Sequence, residues 1–198
     1  AGAAWLTAFD DFPEKGWDKV MDLNVKSPFF LTQALHGALR EAARADRPSK
    51  VINIASIDGL SVNPQETYSY AASKAALTHL TRRMSLKLIE DNIVVSSIAP
   101  GAFQSEMNVD ARDRPEEVAK RIPSRRIGAD EDMAGAAIFL ASRVVVMSAR
   151  PGRIKADVRI DLPYPRHYTL KTSPEFSALK ARLTEEIRVE AVRAAEGH

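Results

Sequence analysis

Val51-Ile52-Asn53-Ile54-Ala55 is a short, apolar, β-branched run, and Ile93-Val94-Val95-Ser96-Ser97-Ile98 is a second, stopped by Pro100-Gly101. Such runs predict buried parallel strands. Between them, Glu66 to about Leu88 predicts a long helix with its apolar face at Ala72, Ala75, Ala76, Leu80 and Met84. Ahead of the first strand, Pro13-Glu14 opens a helical pattern through Trp17, Val20, Met21, Leu23 and Val25. A second apolar helix follows Pro28, through Phe30, Leu31, Ala34, Leu35 and Leu39, and ends in Arg44-Ala45-Asp46-Arg47-Pro48. Asp58-Gly59 starts a loop. Residues 102 to 129, with Pro115, Pro123 and Gly128, predict a mobile loop with one short helix. Asp130 to Ser142 predicts a helix with Asp130 as its N-cap. Strand, helix, strand, helix at this spacing predicts an α/β unit with right-handed crossovers.

The character changes near Arg143. Val144-Val145-Val146-Met147 predicts a strand, Ser148 to Gly152 a turn, and the alternating run Ile154 to Leu162 a half-exposed strand. Pro163-Tyr164-Pro165-Arg166 predicts an extended linker, and Ser173-Pro174-Glu175 caps a charged helix to about Ala195.

With 198 residues the chain is long enough for a real core. A net charge of +2, spread along the chain, leaves no footprint for nucleic acid. No apolar stretch approaches membrane-spanning length. The absence of cysteine excludes disulfides, thiolate metal sites and cysteine nucleophiles, and it fits a cytoplasmic setting. His36, His79, His167 and His198 are scattered, so no metal site is expected. Arg125-Arg126 fits a solvated loop. The start Ala1-Gly2-Ala3-Ala4-Trp5 has neither an initiator Met nor a basic leader region, which suggests a fragment or a processed chain.

Tyr70 and Lys74 lie four residues apart, one helical turn, so phenol and ammonium share a face. A free phenol, with a pKa of about 10, is too weak an acid near neutrality. Lowering it by about three units takes roughly 4 kcal/mol. One ammonium about 4 Å away supplies about that much at an effective dielectric near 20. Lys74 could therefore tune Tyr70 alone. Ser56, at the end of the first strand, is placed to hydrogen-bond a carbonyl oxygen. Asn24 is placed to hold a water that returns a proton to Tyr70. The bland alternatives are that Asn24 only caps or kinks the break between two helices and Ser56 only turns the chain. A Tyr and a Lys four apart arise by composition in roughly one chain of this size in three. The pair gains weight from its company: Ile52-Asn53-Ile54-Ala55-Ser56, Pro100-Gly101, and Asn24-Val25 ahead of Pro28-Phe29-Phe30.

That ordered set, over about residues 1 to 142, resembles the short-chain dehydrogenase/reductase family. The resemblance implies a Rossmann-like doubly wound parallel sheet, here partial and lacking its first strands. It implies that Asn24, Ser56, Tyr70 and Lys74 form the catalytic tetrad, with Tyr70 as acid/base and Lys74 also on the nicotinamide ribose. Pro100-Gly101-Ala102-Phe103-Gln104-Ser105 is similar to the family's Pro-Gly segment, with Ser105 in place of the commoner threonine at the carboxamide contact. Ala1-Gly2 looks like the end of the Asn-Asn-Ala-Gly motif, which implies cofactor contacts at Gly2. The implied cofactor is NAD(P)H, NADP slightly preferred. The implied substrate is a small-molecule carbonyl compound, and Ala55 to Gly59 with Glu66 to Tyr70 is similar to 3-oxoacyl-carrier-protein reductases. Residues 102 to 127 would then be a substrate lid, with Tyr68 a candidate for the pocket wall. A homo-oligomer through Phe30 to Leu39 and Ala72 to Leu88 is also implied.

Two departures from the family stand out. The glycine-rich phosphate loop and the residue that selects NAD or NADP have no counterpart, and about three strands and most of a fourth are missing by resemblance. The first strand would then present a bare edge. Residues 144 to 195 instead resemble the C-terminal end of nitrate/sulfonate-type ABC-transporter ATP-binding subunits, without a phosphate loop, signature loop or switch histidine. The expected organisation is a reductase portion at 1–142 and a transporter-like tail at 143–198, with the seam between about 132 and 147. A chimeric reading frame accounts for this, with Val144 to Met147 standing in for the last strand of the reductase sheet. The alternative to an oxidoreductase is a catalytically inactive fusion product or a transporter-associated accessory chain.

Overall fold

The computed structural model describes residues 2–104, 108–147 and 153–196. The chain divides into two units, Ala1–Ile127 and Gly128–His198. The first opens with helix α1 (Glu14–Met21), which continues through a π-helical stretch (Asp22–Lys26) into α2 (Ser27–Ala42). Gly16 permits the packing of α1, because a Cβ there would lie 2.7 Å from the Trp5 ring. Pro28 costs α2 little because it sits in the first turn, where its missing N–H has no helical partner.

Strand β1 (Ser49–Ile54) pairs in parallel with β2 (Ile93–Ile98), in register from Ser49↔Ile93 to Ile54↔Ile98. Helix α3 (Tyr68–Leu88) is the crossover between them. Met84, Ile93 and Val95 form the apolar centre, with Phe29, Leu39, Val51, Leu80 and Leu88 packed against it. β1 begins two residues earlier than expected and is less buried: Asn53 is enclosed, whereas Ile54 is 41% exposed. Among the described residues β1 pairs only with β2.

Helix α3 departs from its expected orientation. Its buried stripe is Ser69, Ser73, Lys74, Leu77, Thr81 and Met84, while Ala75 is exposed and Ala72, Ala76 and Leu80 are half-buried. The Ser73 and Thr81 hydroxyls bury because each finds a partner within the helix. Ser73 Oγ donates to the Tyr70 carbonyl at 2.7 Å and Thr81 Oγ1 to the Leu77 carbonyl at 2.7 Å. Thr81 Oγ1 also accepts from Asn53 Nδ2 at 2.9 Å, which ties β1 to α3.

Past β2 the expected loop holds two helices, α4 (Val109–Asp113) and α5 (Pro115–Arg121). Asn108 caps α4 by accepting the Ala111 N–H at 3.2 Å, and Pro115 opens α5. Gln65 Nε2 donates to Asp110 Oδ2 at 2.8 Å, linking α4 to the segment before α3.

The second unit begins at Gly128 and holds α6 (Asp130–Leu140). Its N-cap position is Ala129, whose N–H is taken by Asp132 Oδ2 at 2.9 Å. Strand β3 (Arg143–Met147) pairs antiparallel with β4 (Ile154–Arg159) in a sheet separate from β1 and β2. Val144 to Met147 therefore does not stand in for a last strand of the first sheet. Its register partner, Val158, is supplied locally. The turn expected at Ser148 to Gly152 lies outside the described residues.

Helix α7 (Pro174–Glu196) closes this unit, capped by Ser173 Oγ, which accepts the Phe176 N–H at 3.2 Å. The core is wholly apolar: Ala134, Ile138, Val146, Val158, Ile160, Leu162, Phe176 and Leu183. Arg166 is the polar keystone. Its guanidinium donates to the carbonyls of Phe139 at 3.1 Å and Ala141 at 2.6 Å, at the end of α6, and of Ile160 at 3.3 Å, while stacking 4.1 Å from the Tyr164 ring. Among the described residues no helix is long and apolar enough to cross a membrane.

Candidate active site

The two strand ends set the site. Past β1, the Ala55 N–H donates to the Ile98 carbonyl at 2.8 Å and the Ile57 N–H to the Pro100 carbonyl at 3.0 Å. The chain thus stays tied to the end of β2 until Ser56 is placed. Ser56 is extended (φ −161°, ψ 156°), buried, and caps the turn Ile57–Gly59, its Oγ accepting the Asp58 N–H at 3.2 Å.

Helix α3 brings Tyr70 and Lys74 to this point. Lys74 is 5% exposed, and its Nζ donates to the Ile54 carbonyl at 2.7 Å. The same ammonium lies 5.5 Å from the Tyr70 ring centroid. Burial holds the Lys74 pKa below its ordinary value. The Tyr70 phenol titrates above its ordinary value, foremost because it is buried. A hydrogen bond with the Ser56 side chain acts in the opposite direction, and the Asp58 carboxylate adds to the rise. This corrects the expectation that Lys74 alone brings the phenol toward neutrality. The ammonium is committed to a carbonyl and faces the ring, so desolvation prevails.

Asn24 sits in the π-helical stretch, a feature that recurs at functional sites. Both chain directions around it are helical, so it does not cap a break. Its side chain is spoken for: Oδ1 accepts the Ala3 N–H at 2.9 Å, and Nδ2 donates to the Ala3 carbonyl and to Ser73 Oγ, each at 2.9 Å. At 3% exposure, with both amide hydrogens used, its side chain clamps Ala3 to α3. Gly2 adjoins the clamped Ala3 and is half-buried.

Pro100 contributes the carbonyl that holds Ile57. Gly101 has no positive φ and nothing within 4 Å of its Cβ position, so neither conformation nor packing among these residues demands glycine there. Ser105 lies outside the described residues. Tyr68 is 38% exposed, meets Phe9 and Phe12 edge-on, and donates to Glu66 Oε1 at 3.0 Å. Burial, then Glu66, raises its pKa. Among the described residues no group of three or more His, Asp or Glu could hold a metal ion.

Sequence reasoning passed over Ser73, Asp58 and Gly59. Ser73 was findable, since Ser69, Ser73, Leu77 and Thr81 repeat every four residues. The other two follow from tertiary contacts that no spacing reports.

A family model described as enoyl-(acyl carrier protein) reductase matches residues 1–147. The chain is 42% identical over 144 residues to the rhamnolipids biosynthesis 3-oxoacyl-[acyl-carrier-protein] reductase of Pseudomonas aeruginosa, covering 71% of this chain and 56% of that protein. It is 39% identical over 139 residues to the 2-dehydro-3-deoxy-D-gluconate 5-dehydrogenase of Dickeya dadantii, covering 67% and 52%. Among solved structures, the Pseudomonas aeruginosa RhlG/NADP active-site complex superposes with a TM-score of 0.66 at 41% identity, over 69% of this chain and 55% of that one. A short-chain type dehydrogenase/reductase from Mycobacterium marinum gives 0.64 at 31%, over 71% and 55%. The chain spans about half the length of the curated relatives it matches.

Proposed function

The chain belongs to the short-chain dehydrogenase/reductase family, and we propose that its first unit carries the proton-handling half of an NAD(P)H-dependent carbonyl reduction. The observation that carries this reading is the buried Lys74 ammonium, held by the Ile54 carbonyl at 2.7 Å and 5.5 Å from the Tyr70 ring, with buried Ser56 just past the same strand end. Ser56 steadies the substrate oxygen. Tyr70 delivers its proton to that oxygen as the carbonyl becomes an alcohol. Burial makes the phenol a weaker acid, and the Ser56 side chain is the group that favours its proton loss. Lys74 has three N–H groups and gives one to Ile54, which leaves two for ribose hydroxyls and for the phenolate once formed. When bound, the nicotinamide supplies the hydride to the carbonyl carbon. Gly2, Asn24, Tyr70, Lys74, Pro100, Gly101 and Ser105 are the residues assigned to the cofactor, and the open space at Gly101 suits its close approach. NADP is the form favoured, since RhlG is described with it.

Two substrate classes appear among the relatives, 3-oxoacyl compounds and sugar acids. The segment after Ser56 exposes Ile57, Leu60 and Val62, and Phe9 stands 72% exposed beside Tyr68. An apolar rim of this kind favours an acyl chain over a polyhydroxy acid. The exposed apolar face of α2, with Phe30, Leu31 and Leu35, supports a homo-oligomer. The cysteine-free sequence fits a cytoplasmic setting.

The second reading is a chain without turnover. It is favoured by a tail whose core is its own. The family match ends at residue 147, which fits a separate origin for the tail beyond it; the likeness of that tail to the end of an ABC-transporter ATP-binding subunit rests on its sequence alone. Titration with NADPH separates the readings. Saturable binding and reduction of a 3-oxoacyl thioester are expected, with Tyr70→Phe lowering turnover by about 100-fold or more. A folded chain that binds no NADPH establishes the second.

A further inference from the structure

Gly59 has no room for a side chain. A Cβ there would lie 2.5 Å from the Lys74 carbonyl carbon, 2.7 Å from the Ala75 nitrogen and 2.8 Å from the Lys74 carbonyl oxygen. These are backbone atoms inside α3, so no flexible group can move aside. Backbone conformation is not what requires glycine, because no described glycine has a positive φ. Close approach alone requires it.

The turn that Gly59 closes is one hydrogen-bonded piece. The Gly59 N–H donates to the Ser56 carbonyl at 3.1 Å and the Leu60 N–H to the Ile57 carbonyl at 2.9 Å. Its other anchor is the bond from Ile57 to Pro100. The turn therefore rests on two points, the end of β2 and the backbone of α3 at Lys74. Ser56 and Asp58, the two groups that act on the Tyr70 phenol from outside α3, both ride on it.

We propose that Gly59 is a positioning residue of this site: its bare Cα lets the Ile57–Gly59 turn lie against α3 at Lys74, and that contact sets the Ser56 hydroxyl on the Tyr70 phenol. Any larger residue lifts the turn about its Ile57 anchor and carries Ser56 away from Tyr70. The importance of this contact for turnover rests on the carbonyl-reduction reading, but the contact and its readout do not.

The test uses the full chain with 13Cζ-labelled tyrosine, the Tyr70 signal being identified by its loss in Tyr70→Phe. In the wild type, an Overhauser contact between the Gly59 Hα and the Ala75 amide proton is expected, and its absence overturns the proposal. Ser56→Ala shifts the Tyr70 13Cζ signal at neutral pH by removing the hydrogen bond. Gly59→Ala shifts it in the same direction, and the double variant coincides with Ser56→Ala because nothing remains to be lost. Gly37→Ala is the matched control, since Gly37 has nothing within 4 Å of its Cβ position, and it leaves the signal in place. An unmoved signal in Gly59→Ala, or shifts that add in the double variant, overturns the proposal. Should Gly59→Ala not fold, the wild-type contact and the Ser56→Ala shift decide: both present support it, and either one missing overturns it. None of these readouts needs turnover, so an inactive chain sinks the catalytic reading without touching this one.

Discussion

The two units bury different chemistry. In Ala1–Ile127 the enclosed residues include Asn24, Thr32, Asn53, Ser56, Ser69, Ser73, Lys74 and Thr81. In Gly128–His198 the enclosed residues, among those described, are all apolar. An apolar interior is stabilised by area removed from water and tolerates any geometry that packs. A polar interior is worth little net and holds only if each group meets its partner. The first unit thus gives up apolar burial for a single arrangement of Tyr70, Lys74 and Ser56. One buried group there, Ser69 Oγ, has no partner at all.

The contrast can be broken most forcefully in the tail. Leu183 is fully buried in the apolar core. Leu183→Ala should cost about 3 kcal/mol of the second unit's stability in chemical denaturation. The Tyr70 13Cζ signal should stay where it is. A moved Tyr70 signal would show that the division of labour is wrong.

In the first unit the corresponding change is Asn24→Ala. It leaves the Ala3 N–H and carbonyl and the Ser73 hydroxyl each short of a partner. A loss of about 2 kcal/mol is expected, with fast amide exchange at Ala3. If Ala3 stays protected, the clamp is not what holds that strand of backbone.

Alkaline pH sharpens the comparison, because both perturbed groups of the site act there in opposite senses. The Tyr70 pKa is raised in the fold, so above about pH 10 the unfolded chain loses this proton first and stability falls with pH until the raised value is passed. The Lys74 pKa is lowered, so between that value and about pH 10.4 the fold loses its proton first and stability rises. Tyr70→Phe should remove the falling contribution and Lys74→Met the rising one in melts taken from pH 8 upward. Identical pH profiles for the two variants would contradict the burial of both groups.

The smallest effect lies on the surface. Gly37 is an exposed interior position of α2 with open space around it. Gly37→Ala should raise stability by about 0.5–1 kcal/mol in thermal melts, with the site unaltered.

Much of this arrangement was legible in the residues. The β-branched runs located β1 and β2, and the four-residue spacing put Tyr70 and Lys74 on one helix face. Ser173-Pro174 announced α7. Other features were not legible. Helical periodicity selected the alanine face of α3, but burial went to Ser73 and Thr81, which Asn24 and Asn53 stand ready to bond. The break read between α1 and α2 is a continuous π-helical stretch. The charge arithmetic for Lys74 omitted the Ile54 carbonyl that holds it.

The order of residue types along the chain settled the α/β class and the family, because hydrophobic period and motif spacing are local properties. Only the folded chain decided which face of α3 is inside, which way the Tyr70 pKa moves, and why residue 59 is glycine. Each of those depends on atoms brought together from distant positions, as Asn24 and Ser73 are. Burial, hydrogen bonding and steric contact at such points are properties of the assembled interior.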